Sequence, residues 1–338
     1  MKILVTGGLG YIGSHVVVEL QEQGYDVIII DNLSNTSIGV LKQIESITGL
    51  KPSYENIDVR DKERLSTFFE THNDIEGIIH FAASKAVGES VQNPLLYYEN
   101  NINALVYLLQ NIQHKHMSLI FSSSCTVYGQ ADTLPVSENA PIKPAESPYG
   151  NTKQIGEEII LDTCKVNTNL KAIALRYFNP IGAHKSAKIG ELPLGIPQNL
   201  VPYITQTAIG LREQLSVYGD DYPTRDGTAI RDYIHVVDLA KAHVKALSRL
   251  LKNEASENFE VFNVGTGAGT TVLEVIHTFE QATKVKLNYK IVERRQGDVI
   301  AAFAQTDKVK NILGWEPVNT LAEALASSWE WEKKVREK

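Results

Sequence analysis

The sequence predicts an α/β protein: a doubly wound parallel sheet followed by a smaller α/β C-terminal region. Three observations carry that expectation. In the first half, short β-branched runs alternate with longer amphipathic segments, the pattern of parallel βαβ units. A glycine-rich turn, Thr6-Gly7-Gly8-Leu9-Gly10-Tyr11-Ile12-Gly13, joins the first run to the first amphipathic segment. After Phe178 the alternation stops, and Gly, Pro and Asn become dense through residues 179–202. The division that follows is 1–178 for the sheet, carrying a nucleotide site, and 179–338 for a substrate-binding region. No internal repeat, low-complexity tract or flexible linker separates them.

In chain order, the apolar runs predict strands at residues 3–6, 27–31, 54–58, 77–81, 119–123 and 171–176. Between them, apolar residues at helical spacing predict helices at 11–23, 61–70, 94–112 and 149–164. In the second region the same criteria give helices at 201–211, 236–251, 271–282 and 322–334, with short strands at 215–218 and 260–264.

With 338 residues the chain is long enough for one large domain or two of ordinary size. Its formal charge of −7 and the lack of a Lys/Arg stripe argue against nucleic acid as a partner. Met1-Lys2 runs straight into Ile3-Leu4-Val5 and then glycines, so no cleavable signal is expected. No apolar stretch reaches the roughly 18 residues a membrane span needs. Cys125 and Cys164 are too few for a disulfide framework and fit a reducing, cytoplasmic setting. Each is expected to be a buried structural thiol. No His/Cys/Asp cluster has metal-ligand spacing, so no metal is expected.

Glycines at 7, 10 and 13 sit between the first strand and the first helix. A turn this tight lets a pyrophosphate approach the backbone and lie at the positive end of the helix. Asp31, at the end of the second strand, is placed to accept hydrogen bonds from the adenosine ribose. A 2′-phosphate would meet that carboxylate with like charge and no Arg follows closely, so NAD is expected rather than NADP. Asp58 has two open readings, a contact to the adenine amino group or a cap for the helix that follows.

Of the 14 tyrosines, only Tyr149 has a lysine four residues later, Lys153. That spacing stacks phenol and ammonium on one helical face. The ammonium favours phenolate, which makes Tyr149 a proton-transfer candidate. A serine cluster, Ser122-Ser123-Ser124, lies just upstream.

These segments, with Arg176-Tyr-Phe-Asn179 and Arg231-Asp-Tyr-Ile-His-Val-x-Asp, resemble the extended short-chain dehydrogenase/reductase family. Within it they are most similar to the UDP-glucose (UDP-galactose) 4-epimerases, in order and near-constant spacing over residues 1–316. The resemblance implies a Rossmann-like NAD domain, a UDP-sugar substrate, transient oxidation at sugar C4, and a homodimer. The catalytic residues it implies are Ser124, Tyr149 and Lys153. For the cofactor it implies Gly7, Gly10, Tyr11, Ile12, Gly13, Asp31, Asn32, Asp58, Val59, Phe81, Ala82, Ala83, Lys85, Asn100 and Phe178 beside the catalytic three. For the sugar nucleotide it implies Lys85, Ser124, Tyr149, Asn179, Asn199, Leu200, Tyr218, Arg231, Arg295, Asp298 and Ala302. Arg231 and Arg295 suit a diphosphate, Tyr218 suits stacking on uracil, and Asp298 suits the uridine ribose.

Ala302 departs from the pattern of glucose-restricted members, which resemble one another in carrying tyrosine there. A small residue goes with tolerance of an N-acetyl group at C2, so UDP-GlcNAc and UDP-GalNAc are expected as further substrates, unless Phe303 fills the space. The alternative within the superfamily is a 4,6-dehydratase or reductase. Elimination needs an acid and a base after the serine, where this chain has Cys125-Thr126. A non-catalytic, dinucleotide-binding relative would be expected to have lost one of Ser124, Tyr149 and Lys153, and all three are present.

Overall fold

The structure is a computed structural model that describes residues 1–295 and 299–337. The elements run β1 (Lys2–Thr6), α1 (Tyr11–Glu22), β2 (Asp26–Ile30), α2 (Gly39–Thr48), β3 (Ser53–Glu55), α3 (Lys62–Thr71), β4 (Ile75–His80), α4 (Val87–Gln92), α5 (Pro94–Tyr98), α6 (Ala104–Ile112), β5 (Met117–Ser124), α7 (Pro148–Val166) and β6 (Leu170–Tyr177). They continue with β7 (Asn179–Ile181), α8 (Leu200–Ala208), β8 (Leu215–Tyr218), β9 (Ile230–His235), α9 (Val236–Leu251), β10 (Phe259–Val264), β11 (Gly269–Thr271), α10 (Val272–Thr283), β12 (Tyr289–Val292), β13 (Ala301–Ala302), α11 (Asp307–Leu313) and α12 (Leu321–Arg336).

The chain divides into two compact units, and neither is a single stretch of sequence. The first comprises Met1–Gly129, Pro141–Arg176 and Ala240–Phe262; the second comprises Gln130–Ala140, Tyr177–Leu239 and Asn263–Lys338. The central sheet has seven strands in the order β10-β6-β5-β4-β1-β2-β3. The first six expected strands all lie in it, and the reversal of order beside β1 makes it doubly wound. Its seventh strand, β10, was expected in the second region; its apolar residues find cover instead beside β6, and Phe259 and Val261 pack on the same core. Leu4, Ile28, Ile78, Leu119 and Ala172, one from each of five strands, form that core with Leu65, Phe68, Leu105 and Leu108 from the helices.

Two of the departures from expectation have local reasons. β3 stops at Glu55, where the register with Ile30 ends and the Ile57 N–H turns back to Glu55 O. Residues 94–112, expected as one helix, are interrupted by a π-turn at Glu99–Asn103. Such a turn inserts one residue and commonly marks a functional position.

The second unit has a four-stranded sheet, β11-β9-β13 with β7 also on β9, and the parallel pair β12-β8. Its core gathers Ile181, Val201, Ile204, Val217, Ile276, Phe279 and Leu325. Capping boxes at Thr271/Glu274 and Thr320/Glu323 start α10 and α12.

Candidate active site

At the first turn, β1 delivers the chain into Gly7 with φ of +69°, a left-handed conformation that favours glycine. A Cβ at Gly7 would lie 2.9 Å from Ala82 N, and one at Gly13 would lie 2.3 Å from Gly7 O. The turn therefore closes on itself and on the backbone after β4, leaving no room for side chains. Helix α1 starts from Gly10 with no side-chain cap, so its first N–H groups face the turn. Tyr11 and Ile12, the first helical residues, are half-buried.

Asp31 follows β2 and is 6% exposed. Its carboxylate accepts from Leu9 N–H at 3.1 Å and Leu33 N–H at 3.0 Å, while burial raises its pKa. It therefore stands at the turn with further acceptor capacity. Asn32 donates to Asp58 at 3.0 Å. Asp58 is gripped by Arg60, through Nε at 3.0 Å and Nη2 at 2.7 Å, which holds its pKa down at about 2. The cap reading for Asp58 does not hold: Asp61 caps α3, accepting from Arg64 N–H at 3.1 Å. Val59 beside it is buried. A tight glycine turn, an uncapped helix start and a buried carboxylate at the second strand fit a dinucleotide.

After β4, Phe81 N–H donates to Thr6 O at 3.0 Å, and its ring stands 4.8 Å from that of His243. Ala82 and Ala83 are half-buried; Lys85 is exposed, with Nζ 5.9 Å from the Tyr11 ring. The π-turn feeds this loop: Asn100 donates to Ser84 Oγ at 2.7 Å, and Asn101 takes Ser84 N–H at 2.8 Å while donating to Ser84 O at 3.0 Å. Asn101 also donates to Thr152 Oγ1, whose hydroxyl donates to Tyr149 O. One buried asparagine thus links the loop after β4 to helix α7.

Helix α7 begins with Ser147 capping Gly150 N–H and Pro148 in its first turn, so Tyr149 and Lys153 enter on one face. That face meets β5, whose eight residues are all buried. Lys153 Nζ donates to Ser122 O at 2.7 Å and lies 5.0 Å from the Phe121 ring and 5.8 Å from the Tyr149 ring. Burial lowers the Lys153 pKa to about 8, against the Glu157 carboxylate, which raises it. Burial and Lys153 together lower His80, on β4, to about 3. Ser124 ends β5 and accepts Thr126 N–H at 3.2 Å, starting a single tight turn over Cys125–Tyr128. Ser124 and Tyr149 are 6% and 8% exposed. Cys125 is half-buried beside Ser124, so only Cys164 is fully buried, its thiol pushed up to about 12.

Sequence reasoning named Arg176 within a motif without giving it a task. It forms a buried pair with Glu157, Nε donating at 3.0 Å, and its Nη1 donates to Tyr128 OH at 3.0 Å. Glu157 also accepts from Ser123 Oγ. The available signal was the spacing 149, 153, 157, three residues of one helical stripe.

The remaining predicted residues lie in the second unit. Phe178 is buried, its N–H donating to Val264 O at 3.3 Å, and Asn179 opens β7. Asn199 precedes α8, donating to Glu191 at 2.8 Å, and Leu200 begins it. Arg231 on β9 is paired in register with Ala302 on β13, and its Nη1 donates to Ile230 O at 2.8 Å. Tyr218 ends β8, with the Arg295 guanidinium 4.4 Å from its ring centre. Phe303 packs toward Gly269, where an added Cβ would lie 2.9 Å from its ring. Asp298 lies outside the described residues. Asp232, which the sequence reading quoted in the Arg231 motif without giving it a task, is fully buried; it accepts from Thr266, Gly267 and Ala304, fixing the backbone around Arg231 and Ala302. Among the described residues no group of acidic, His and Cys side chains could hold a metal, and no helix is long and apolar enough to cross a membrane.

Comparison with known proteins places this geometry. Residues 4–327 match the family described as GDP-mannose 4,6 dehydratase. A UDP-glucose 4-epimerase from Bacillus subtilis is 47% identical over 98% of this chain and 97% of its own. Among solved structures, a UDP-glucose-4-epimerase from Stenotrophomonas maltophila with bound NAD and formylated UDP-arabinopyranose is 45% identical, with a TM-score of 0.95 over 99% of this chain and 98% of that one. Another, from Bifidobacterium longum in complex with NAD+ and UDP, is 44% identical, with a TM-score of 0.93 over the same shares.

Proposed function

The chain belongs to the UDP-glucose 4-epimerases within the extended short-chain dehydrogenases, and from that membership we propose that it interconverts UDP-glucose and UDP-galactose with NAD as cofactor. The observation that carries the reading is Lys153, whose Nζ donates to Ser122 O on β5, the strand that Ser124 ends, and stands 5.8 Å from the Tyr149 ring. NAD would be held at the glycine turn, and there it would supply an acceptor and donor of hydride for sugar C4. Gly7, Gly10, Tyr11, Ile12 and Gly13 would receive its pyrophosphate, and Asp31 with Asn32 its adenosine ribose. Asp58 and Val59 would meet the adenine end, and Phe81, Ala82, Ala83, Lys85, Asn100 and Phe178 would complete the cofactor set.

Tyr149, as phenolate, accepts the proton of the 4-hydroxyl and returns it once the sugar has turned its other face. Ser124 hydrogen-bonds the same oxygen. Lys153, cationic below about pH 8, favours the phenolate and would contact the nicotinamide ribose. Arg231 and Arg295 pair with the diphosphate, Tyr218 stacks on uracil, and Asp298 holds the uridine ribose. Asn179, Asn199, Leu200 and Lys85 make the remaining substrate contacts. The 4,6-dehydratase alternative is not favoured: Cys125 and Thr126 fill the turn after Ser124, where elimination needs carboxylates.

A second reading adds the N-acetylhexosamine pair. Its support is the methyl side chain of Ala302 in register with Arg231, together with the Phe303 ring being taken up against Gly269. We further propose a homodimer. Leu95 is 80% exposed and Val91 62%, with Leu96 and Leu161 also exposed, on helices α4, α5 and α7 that pack together. A cytoplasmic location is supported by the two free thiols; protein isolated under thiol-trapping conditions with either one oxidised would argue against it.

The test is NMR of UDP-galactose and, separately, UDP-GalNAc with purified protein and no added cofactor. Conversion of both is expected, and Ala302→Tyr should lose the second while keeping the first. No turnover of UDP-galactose, even with NAD supplied, would overturn the reading. Unchanged UDP-GalNAc turnover in Ala302→Tyr would remove the C2 argument alone.

A further inference from the structure

Ser124 lies in a segment, residues 122–128, that is tethered on both sides by groups with no part in the proposed proton transfer. Before it, Ser123 Oγ donates to Glu157. After it, Tyr128 OH accepts from Arg176 Nη1 at 3.0 Å, with the guanidinium carbon 4.8 Å from the Tyr128 ring centre. Arg176 closes the loop by gripping Glu157, Nε donating at 3.0 Å and 3.2 Å to its two oxygens. Glu157 and Arg176 are 7% and 6% exposed.

A buried ion pair is weak evidence of stability, because the loss of water offsets most of the attraction. Its value here is geometric. Tyr149, Lys153 and Glu157 recur every fourth residue on α7, so the helix that carries the proton acceptor also holds, four residues beyond Lys153, the anchor for the serine segment. Lys153 itself adds a third tie, to Ser122 O at 2.7 Å. We propose that the Glu157–Arg176 pair is a positioning device for the reaction, locking residues 122–128, and with them Ser124, in register with Tyr149 and Lys153.

The pair also faces the Lys153 charge, which the Glu157 carboxylate supports against burial. The other groups around Lys153 are His80 on β4, Phe121 and the Ser122 carbonyl on β5, Tyr149 on its own helix, and Arg176 on β6 through Glu157. Removing the Glu157 charge therefore weakens the hold of Lys153 on its proton and makes the Tyr149 phenolate harder to form.

The inference takes its reaction from the epimerase reading, and the experiment separates the two. Ser123→Ala and Tyr128→Phe each cut one tether and leave the ion pair whole; Glu157→Gln removes its charge. Turnover of UDP-galactose is measured per bound cofactor, so that misfolded protein does not count. A misplacement of ~1 Å costs on the order of 10²-fold in rate, so the two mild variants should lose about tenfold in kcat and Glu157→Gln about a hundredfold. KM should stay within about twofold, because the tethers do not touch substrate. Independently of turnover, ultraviolet titration of the cofactor-retaining protein, with the Tyr149→Phe counterpart subtracted, should show phenolate forming at higher pH in Glu157→Gln. All three variants within twofold of the parent kcat would overturn the positioning role and leave the epimerase reading standing. If the parent itself fails on UDP-galactose, that reading falls; an unchanged phenolate titration in Glu157→Gln would then overturn the inference too.

Discussion

Lys153 is held where its charge is expensive. Burial brings its pKa down from 10.5 to about 8, so at neutral pH it remains a cation without water around it. The native state binds that proton less firmly than the unfolded chain does, so this group opposes folding most below pH 8. The opposition fades as pH rises from 8 to 10.5. Lys153→Met should therefore stabilise the protein below pH 8 by on the order of 1–2 kcal/mol, after loss of the bond to Ser122 O is set against relief of the charge. The gain should shrink toward pH 10, and the variant should lose turnover. Thermal melts across that range check it, and destabilisation at pH 7 would mean the hydrogen bond outweighs the burial cost. The Tyr149–Lys153 pair was legible in the sequence because its geometry is local, one helical turn. Its surroundings were not: His80, Ser122 and Arg176 come from three different strands, and nothing in their spacing announces a meeting.

At the scale of elements, the π-turn at Glu99–Asn103 does what a regular helix could not, presenting Asn100 and Asn101 together to the loop after β4. Asn101 makes three bonds, to Ser84 N–H, Ser84 O and Thr152 Oγ1. Replacing it by Leu of similar size leaves the half-buried Ser84 N–H and O without these partners and Thr152 Oγ1 with only its bond to Tyr149 O. We expect a loss of about 2–4 kcal/mol in urea unfolding and weaker cofactor retention, both read on one preparation. Retention equal to the parent would show that the Ser84 loop is set by other contacts. Residues 94–112 read as one helix in sequence because a π-turn keeps the apolar spacing nearly intact, and the inserted residue has no compositional mark. Asp58 was misread as a possible cap for a related reason: Asp61 satisfies the same rule three residues later, and only the Arg60 grip on Asp58 decides between them. The glycine turn, by contrast, was plain, since φ of +69° at Gly7 and the contact at Gly13 exclude other residues.

For the whole molecule, the first half's alternation gave the parallel sheet, but β10 returns to that sheet from more than eighty residues beyond β6. Pattern alone places strands, and cannot say which sheet receives them. The exposed apolar residues of α4, α5 and α7 belong to this scale as well. Leu95→Glu should convert a dimer to monomer in light scattering, and an unchanged mass would move the interface elsewhere. The central claim is that one carbon loses its hydrogen and regains the same one. It is tested most directly with UDP-galactose deuterated at C4, incubated with the purified protein in ordinary water and without added cofactor. We expect UDP-glucose with the deuterium still at C4 and none released to solvent. Product carrying solvent hydrogen at C4 would mean proton exchange rather than oxidation and return, and would contradict the assignment of roles to Tyr149, Ser124 and Lys153.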